Sequence, residues 1–257
     1  MKAPVYEIYA LKYAGPFPRP APIVRWLQDM DQTAMVNYYI FAILGGSDPV
    51  IVDCGCAPKL AQEKKLAGYV NPVEVLRRIN INAEKVKQVV VTHINFDHIS
   101  GIELFPQATV YIQEKENNFW IKDPMAQRRP FLLTSDPVGN QYLRELEGTE
   151  RLRLVRGDKK ILPGIKLLLT PGHTVGLQAV AVNTAKGTAI LGSDLAHTFF
   201  SYETDIPSAF ITDLIGWVKS YDKVRARVSS PDLLFPGHDV KMADQFPKVA
   251  EGITRLV

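Results

Sequence analysis

The five histidines of this 257-residue chain occupy similar local positions. Each lies just past, or a few residues beyond, a segment whose apolar composition predicts a β-strand, and they are His93, His98, His173, His197 and His238. Loops that leave one edge of a sheet converge in space, and ligands bind where such loops meet. The distribution predicts that several of these imidazoles line one site, although any single histidine could have a purely structural role.

The densest group of chemically useful side chains is the sequence THINFDH at residues 92–98, directly after the apolar segment 88–91. His93, Asp97 and His98 could all reach one small volume. Imidazole nitrogens and carboxylate oxygens together suit zinc and other borderline divalent cations. This cluster therefore predicts a metal site.

Two further histidines share one local frame, a strand followed by Pro-Gly and then histidine. The sequences are TPGHT at residues 170–174 and FPGHD at residues 235–239. The Pro-Gly turn would bring His173 and His238 onto the edge of the sheet. Asp194, in the sequence LGSD at residues 191–194, places a carboxylate at the end of another predicted strand.

Taken in order, these motifs resemble those of the metallo-β-lactamase superfamily over nearly the whole chain. The resemblance implies an α/β fold, an αββα sandwich of two mixed β-sheets flanked by helices, with a hydrolytic site for one or two metal ions between the sheets. Within the superfamily the chain is most similar to the N-acyl homoserine lactonase group of lactone hydrolases, by its size, TPGHT and the PGHD motif at residues 236–239.

The resemblance also implies a ligand set. His93 and His173 would belong to a first metal, Asp97, His98 and His238 to a second, and Asp194 would bridge them. Asp53 matches the acidic motif that supports the ligand loops without binding metal. Zinc is the expected cofactor, as one or two ions, with manganese or iron as alternatives.

Two residues depart from the family pattern. Asn95 stands where the first cluster normally has a second histidine, and its neutral carboxamide oxygen is a poorer zinc ligand than imidazole. His197 stands three residues after Asp194, where the lactonases tend to carry a tyrosine that contacts the substrate carbonyl. His197 could replace the missing ligand, could donate to the carbonyl or leaving group with a pKa near neutrality, or could simply pack against the following phenylalanines. Tyr202 could supply a displaced phenol.

The expected reaction is hydrolysis of a lactone or similar cyclic acyl compound by a metal-bound hydroxide. Asp97 would hold the water and move its proton, and Asn95 and His197 are the other candidate catalytic residues. The alternatives are a thioester, amide, imide or phosphodiester hydrolase of the same fold, and a degenerate, non-catalytic metal-binding module. The partner is a small molecule with an ester-like carbonyl.

The pattern of apolar runs and breakers predicts the elements that position these residues. Strands are expected at residues 6–11, 36–44, 50–53, 86–92, 109–112, 152–155, 165–170, 177–182, 188–192 and 233–235, mostly in antiparallel runs. Helices are expected at residues 71–79, from residue 113 onwards, and at residues 211–228 and 242–256, with an irregular segment at residues 122–140.

Composition narrows the remaining choices. The charge of +3 shows no strong phosphate footprint, so no nucleic-acid partner is expected. No segment approaches a membrane span, and residues 1–10 lack a secretory signal, so a cytoplasmic enzyme without a membrane partner is expected. Cys54 and Cys56 are too close together to form a disulfide framework. A single domain over residues 1–257 is expected, and a homodimer is open.

Several segments could contribute substrate walls. The proline-rich segment 15–22 could cover the site and present Phe17 or Trp26, or could be a surface edge. The aromatic pairs at residues 119–120 and 199–200 are further candidates, although aromatic residues are more often core. The basic residues at 128–129 and 151–156 could attract an anionic group, although such runs are usually solvated.

Overall fold

A computed structural model describes residues 3–257 of the chain. Within them the strands, numbered β1 to β13, are Glu7–Pro20, Thr33–Leu44, Val50–Val52, Gln88–Val90, Thr109–Gln113, Leu152–Val155, Lys159–Leu162, Ile165–Leu169, Gln178–Thr184, Gly187–Ser193, Leu234–Pro236, Lys248–Ala250 and Ile253–Arg255. The expectation about a secretory signal concerns Met1 and Lys2 among others, and these two lie outside the described residues.

The α-helices of the same residues, numbered α1 to α10, are Ala21–Val24, Pro58–Glu63, Pro72–Arg77, Phe96–Ile99, Glu114–Asn117, Arg129–Leu132, Pro137–Leu146, Phe199–Thr204, Leu214–Arg225 and Lys241–Asp244. Short 3₁₀ turns occur at Ala83–Lys85, Ile102–Leu104, Pro124–Gln127 and Pro231–Leu233, and a π-helical turn at Asn118–Lys122. No helix of residues 3–257 combines the length and apolar character needed to cross a bilayer.

The strands form two mixed sheets. The larger has the order β12-β13-β1-β2-β3-β4-β5-β6, and the smaller has the order β11-β10-β9-β8-β7. In the larger sheet β3 to β6 run parallel to one another, whereas the strands from β12 to β3 pair antiparallel. The expectation of mostly antiparallel runs was therefore wrong for β3 to β6, whose parallel pairing needs the intervening helical crossovers.

Alternation along β2 shows how the layers form. Tyr39, Phe41 and Ile43 point into a core between the two sheets, whereas Tyr38 and Ile40 point to the opposite face, where helices cover the larger sheet. Successive strand residues face opposite sides, so a strand buried on both faces reads as a continuous apolar run. A third apolar cluster packs α9 against the outer face of the smaller sheet. The αββα sandwich is confirmed.

The predicted helix at residues 242–256 was wrong. Only α10 is helical there, and the chain continues as the hairpin β12–β13, which turns at Gly252 with φ +72°. β13 pairs antiparallel with β1, with Leu11 opposite Ile253. Pro247 lacks a backbone N–H, and the open edge of β1 supplies backbone partners that local sequence does not reveal.

The segment 122–140 is less irregular than expected. It contains Pro124–Gln127, α6 and the start of α7, and each of its three prolines lies in the first turn of one of these helices. A proline there costs little, because the first helical N–H groups have no intrahelical acceptor. The short elements α2, α8 and β7 were not anticipated, and β1 extends to Pro20 rather than residue 11.

The helices predicted at residues 71–79, from residue 113 and at residues 211–228 are confirmed as α3, α5 and α9. Asn71 caps α3, accepting a 3.0 Å hydrogen bond from the N–H of Val73, and Asp213 caps α9, accepting one of 2.9 Å from Gly216. Cys54 and Cys56 are both buried and both free thiols.

Candidate metal centre

Strand ends of both sheets carry the predicted ligands to one place. The segment after β4 holds His93 and enters α4, which holds Asp97 and His98. His173, Asp194 and His238 follow β8, β10 and β11 of the smaller sheet. All of these side chains are buried. The centre therefore lies between the two sheets, at one rim of the sandwich.

Asp194 occupies the middle of the group. Its Oδ1 lies 2.9 Å from Nε2 of His238 and 3.2 Å from Nε2 of His98. Its Oδ2 lies 3.5 Å from Nε2 of His173 and 3.9 Å from Nε2 of His93. One carboxylate thus reaches imidazoles from both halves of the predicted ligand set.

Sets of three ligand atoms that lie within 4.8 Å of one another mark where single ions would fit. One set is His93, His173 and Asp194, and another is Asp97, His98 and His238. These match the two groups expected from the sequence, with Asp194 between them. Their assignment as ligands remains a prediction.

Backbone carbonyls determine which nitrogen of His173 and His238 faces the centre. Nδ1 of His173 donates to the carbonyl of Phe210 at 2.6 Å, and Nδ1 of His238 donates to the carbonyl of Asn37 at 3.0 Å. In the neutral ring the proton is then on Nδ1, so Nε2 presents a lone pair to the centre. This is the usual orientation of a metal-binding histidine.

Asp53 orients the first cluster. Its Oδ2 accepts a 2.7 Å hydrogen bond from Nδ1 of His98, and its Oδ1 accepts one of 2.7 Å from the N–H of Thr92. The hydroxyl of Thr92 also donates to Asp53, which leaves Oγ1 as an acceptor for Nδ1 of His93 at 3.1 Å. Asp53 therefore holds both imidazoles with Nε2 inward, as expected for a residue that supports the ligand loops.

Neighbouring charges shift the pKa values of Asp194 and His98 in the centre. Burial raises the pKa of Asp194, but the nearby imidazoles, His238 first, outweigh it and hold that pKa well below its usual range. Burial lowers the pKa of His98, but the charges of Asp97, Asp53 and Asp194 outweigh it, so the pKa of His98 lies well above its usual value. Ionised carboxylates and imidazole nitrogens thus share one buried volume.

The residues fit a divalent cation. Nε2 of His98 and Oδ1 of Asp194 are buried, and neither has a well-directed hydrogen-bond partner among residues 3–257. Unsatisfied buried polar atoms are costly. A cation bound between these atoms would satisfy both of them, and a donor set of imidazole nitrogens and carboxylate oxygens suits zinc.

Asn95 lies among the ligands in spite of its departure from the family pattern. Its Oδ1 is 3.0 Å from Nε2 of His93 and 2.9 Å from Nε2 of His173, while its Nδ2 donates to the carbonyl of Ile94 at 3.1 Å. The carboxamide oxygen therefore faces the volume between two imidazoles, where it could contribute a weak oxygen ligand to the first metal.

His197 lines the same volume. Its Nε2 is 3.4 Å from Oδ2 of Asp194, and it forms a set of three with Asp194 and His238 rather than with His93 and His173. Burial lowers the pKa of His197 to about 3, so the expectation of a pKa near neutrality was wrong. The ring is neutral and carries a single N–H.

Tyr202 packs in the apolar cluster on the outer face of the smaller sheet. It lies on the far side of β10, where its hydroxyl approaches Gly192 so closely that no side chain would fit there. Burial raises the pKa of Tyr202, and the residue borders a separate cavity. Tyr202 is therefore not the displaced phenol that the sequence allowed.

Glu116 is a buried residue at this centre that sequence reasoning missed. Its Oε1 accepts hydrogen bonds from the N–H of Ile94 at 2.9 Å and from Nε1 of Trp120 at 2.8 Å, and its Oε2 accepts one from the N–H of Gly176 at 2.8 Å. Glu116 thus ties the loop of His93 to that of His173. The charged sequence QEKEN at residues 113–117 resembles a solvated helix and gives no signal of this role.

A cavity of about 400 Å³ opens onto the centre. Its walls include Asp97, Asp194, His197 and His238. They also include the apolar and cationic residues Ile23, Val24, Val36, Leu66, Arg19 and Lys64. A smaller cavity of about 250 Å³ also borders Asn95 and His173, and it is lined by aromatic and aliphatic side chains, including Trp120, Phe131, Phe210 and Ile211. The site therefore combines a polar floor with apolar walls.

Only some of the segments that the sequence suggested as substrate walls border these cavities. The proline-rich segment does border the cavity, through Arg19 and Pro20, whereas Phe17 packs under Tyr38, with ring centroids 4.7 Å apart. Trp26 is outside the walls of both cavities. The pair at residues 199–200 borders neither cavity, and Arg156 pairs with Glu114 at 2.7 Å on the surface.

Comparison with known proteins gives consistent matches. The model of the metallo-beta-lactamase superfamily matches residues 32–238. An N-acyl homoserine lactonase of Bacillus cereus is 27% identical over 188 residues, which are 72% of this chain and 66% of that protein. The matched region thus spans slightly less than two thirds of that relative. The N-acyl homoserine lactonase AiiB of Rhizobium rhizogenes is 25% identical, with 79% of each chain covered.

Solved structures agree on the fold. A quorum-quenching N-acyl homoserine lactone lactonase superposes with a TM-score of 0.77 at 18% identity, covering 97% of this chain and 98% of that one. AidC, described as a dizinc quorum-quenching lactonase, superposes with a TM-score of 0.69 at 19% identity, covering 93% and 90%.

Proposed function

Because the chain belongs to the metallo-beta-lactamase superfamily, we propose that it is a metal-dependent hydrolase that opens a lactone or a similar cyclic ester. The observation that carries the proposal is the group of five imidazoles whose Nε2 atoms converge on the carboxylate of Asp194 beneath an open cavity. Relatives named as N-acyl homoserine lactonases support an ester carbonyl as the reacting group.

His93, His173, Asp97, His98 and His238 would hold two ions, with Asp194 between them. Zinc suits these donors, and the dizinc neighbour AidC supports it, while manganese or iron remain alternatives. When bound, such ions acidify a water molecule and polarise the substrate carbonyl. Asn95 would add an oxygen ligand to the first ion.

The chain itself supplies the proton transfers. Asp97 borders the cavity, and its Oδ2 lies 3.6 Å from Nε2 of His98 and 3.7 Å from Nε2 of His238. From there its carboxylate can accept a proton from the attacking water and return it to the leaving alkoxide.

His197 is placed to act on the substrate oxygen. It borders the cavity, with its Nε2 3.4 Å from Oδ2 of Asp194, and its neutral ring can donate one N–H to the developing oxyanion. This role, rather than completion of the first metal site, agrees with the grouping of His197 with Asp194 and His238 rather than with His93 and His173. The apolar side cavity next to Asn95 would take a hydrocarbon part of the substrate.

The test combines elemental analysis of protein purified without added metal with hydrolysis assays on a panel of acyl lactones. Two ions per chain and lactone hydrolysis that a chelator abolishes are the expected results. The same panel should include a thioester, an amide, an imide and a phosphodiester, because faster turnover of one of these would assign a different hydrolase. Failure to bind zinc or manganese would overturn the proposal of a metal-dependent hydrolase and would favour a non-catalytic module.

A further inference from the structure

Two cationic side chains border the cavity without an anionic partner. Arg19, on β1, and Lys64, at the end of α2, both contribute to its wall. Neither lies within salt-bridge distance of a carboxylate in residues 3–257, whereas Arg25 and Arg225 pair with aspartates on the surface. Their charges are therefore free to meet an anion that enters the cavity.

Aromatic contacts hold Arg19 close to the centre. Its Nη2 donates to the hydroxyl of Tyr38 at 3.2 Å, and its guanidinium carbon lies 4.7 Å from the ring centroid of Phe17. The ring of Tyr38 in turn contacts that of His238 edge-on, with centroids 5.1 Å apart. The guanidinium is thus separated from a predicted metal ligand by one aromatic ring.

Lys64 has a matching arrangement. Its Nζ lies 4.1 Å from the ring centroid of Phe96, the residue directly before Asp97. The rings of Phe96 and Tyr38 also touch, with centroids 6.0 Å apart. The two cations therefore lie against Phe17 and Phe96, two rings that both contact Tyr38.

The other residues that border the cavity indicate that an anion would bind to Arg19 and Lys64. The carboxylates that border it, Asp97 and Asp194, both face the imidazoles. The same wall also contains the apolar side chains of Val24, Val36 and Leu66. A neutral acyl chain would leave both cations without a partner, whereas a carboxylate would receive charge-assisted hydrogen bonds from them.

We propose that Arg19 and Lys64 form a subsite for a carboxylate of the substrate, so that the preferred lactone or ester carries a negative charge at the end of a short apolar spacer. The inference rests on the proposed function, because it takes the centre as the place where the carbonyl reacts. With this subsite, the enzyme would prefer a substrate that ends in a carboxylate over one whose acyl chain has an uncharged end.

The test compares two lactones of matched shape, N-glutaryl-homoserine lactone, whose chain ends in a carboxylate, and N-(5-methylhexanoyl)-homoserine lactone, whose chain ends in an isosteric branched alkyl group. The wild-type enzyme should prefer the first in kcat/KM. Arg19→Gln and Lys64→Gln should each lower that preference by about fivefold, the effect of a partly exposed ion pair. Arg19→Lys should retain part of it, and high salt should weaken it.

Lys59→Gln is the matched control, because Lys59 is an exposed lysine on α2 that does not border the cavity. It should leave the preference unchanged. Equal loss in Lys59→Gln and Lys64→Gln, or a wild-type enzyme that favours the branched alkyl chain, would overturn the subsite.

A binding measurement separates this inference from the proposed function. The ring-opened products of the two lactones differ only at the distal end, so calorimetric titration of the zinc-loaded protein measures anion recognition without turnover. Tighter binding of the glutaryl product, lost in Arg19→Gln, supports the subsite even if neither lactone is hydrolysed. Equal affinity for the two products overturns the subsite even in an active lactonase.

Discussion

The amide oxygen of Asn95 lies 2.9 Å from Nε2 of His173. Nδ1 of His173 donates to the carbonyl of Phe210, and burial lowers the pKa of this imidazole, so Nε2 carries a lone pair. Two electron-rich atoms therefore face each other with no proton between them. A cation between or beside them would remove this repulsion, so we propose that Asn95 is an oxygen ligand of the first metal site and that this site binds more weakly than its neighbour.

Asn95→His should tighten the weaker of two zinc-binding steps, because imidazole is a better zinc ligand than a carboxamide. Calorimetric titration of the metal-free protein measures both steps. Asn95→Leu is the counterpart, and it should weaken the same step while leaving the stronger one intact. If neither substitution changes the isotherm, Asn95 does not contact a metal.

His197→Ala should lower kcat by about 100-fold while both metal ions are retained, since a donor to the developing oxyanion contributes about this much. His238→Ala should instead lose metal and activity together. Metal content by elemental analysis beside steady-state rates separates the two cases. Loss of one ion from His197→Ala would show that His197 is a ligand.

Asp53→Asn should lower zinc affinity by about 10- to 100-fold, the usual effect of removing a carboxylate that orients a ligand imidazole. The amide can still accept one hydrogen bond, so the fold should persist, as judged by circular dichroism. Unchanged affinity would mean that the 2.7 Å hydrogen bond between Asp53 and His98 does not orient the ligand.

Glu116→Gln should destabilise the protein by about 2 kcal/mol, because the new amide group would face the N–H of Ile94 or Gly176 and leave a buried donor unpaired. Chemical denaturation measures this loss. Since Glu116 joins the loops of His93 and His173, the weaker zinc step should suffer more than the stronger one. Glu103→Gln, at an exposed position, should change neither quantity.

Metal removal should lower the melting temperature. Ions that bind only the native state stabilise it by about 2.7 kcal/mol at a free concentration of 100 times Kd. Scanning calorimetry with chelator, and again after zinc is restored, should show a reversible shift. An unchanged melting temperature would argue against metal binding by the native centre.

Local sequence patterns were sufficient to predict many of the strands. The strands that precede His93, His173 and Asp194 were anticipated, because strands buried on both faces read as apolar runs and their ends carry marked turn residues. The tail was not anticipated. Residues 253–255 become a strand because β1 offers an unpaired edge, and no local pattern encodes a partner more than 200 residues away.

The sequence by itself determined the chemistry available to this protein: four imidazoles and two carboxylates at strand ends, in an order that indicates a metal centre. Only the tertiary structure decided how each residue is used, since packing sets ring orientation, burial and neighbours. In the folded chain the side-chain oxygen of Asn95 lies between two imidazoles. Burial lowers the pKa of His197, so its ring is neutral, and Tyr202 lies on the far side of β10. The tertiary structure also brought Glu116 beneath both ligand loops, through contacts that form only when the two sheets pack together.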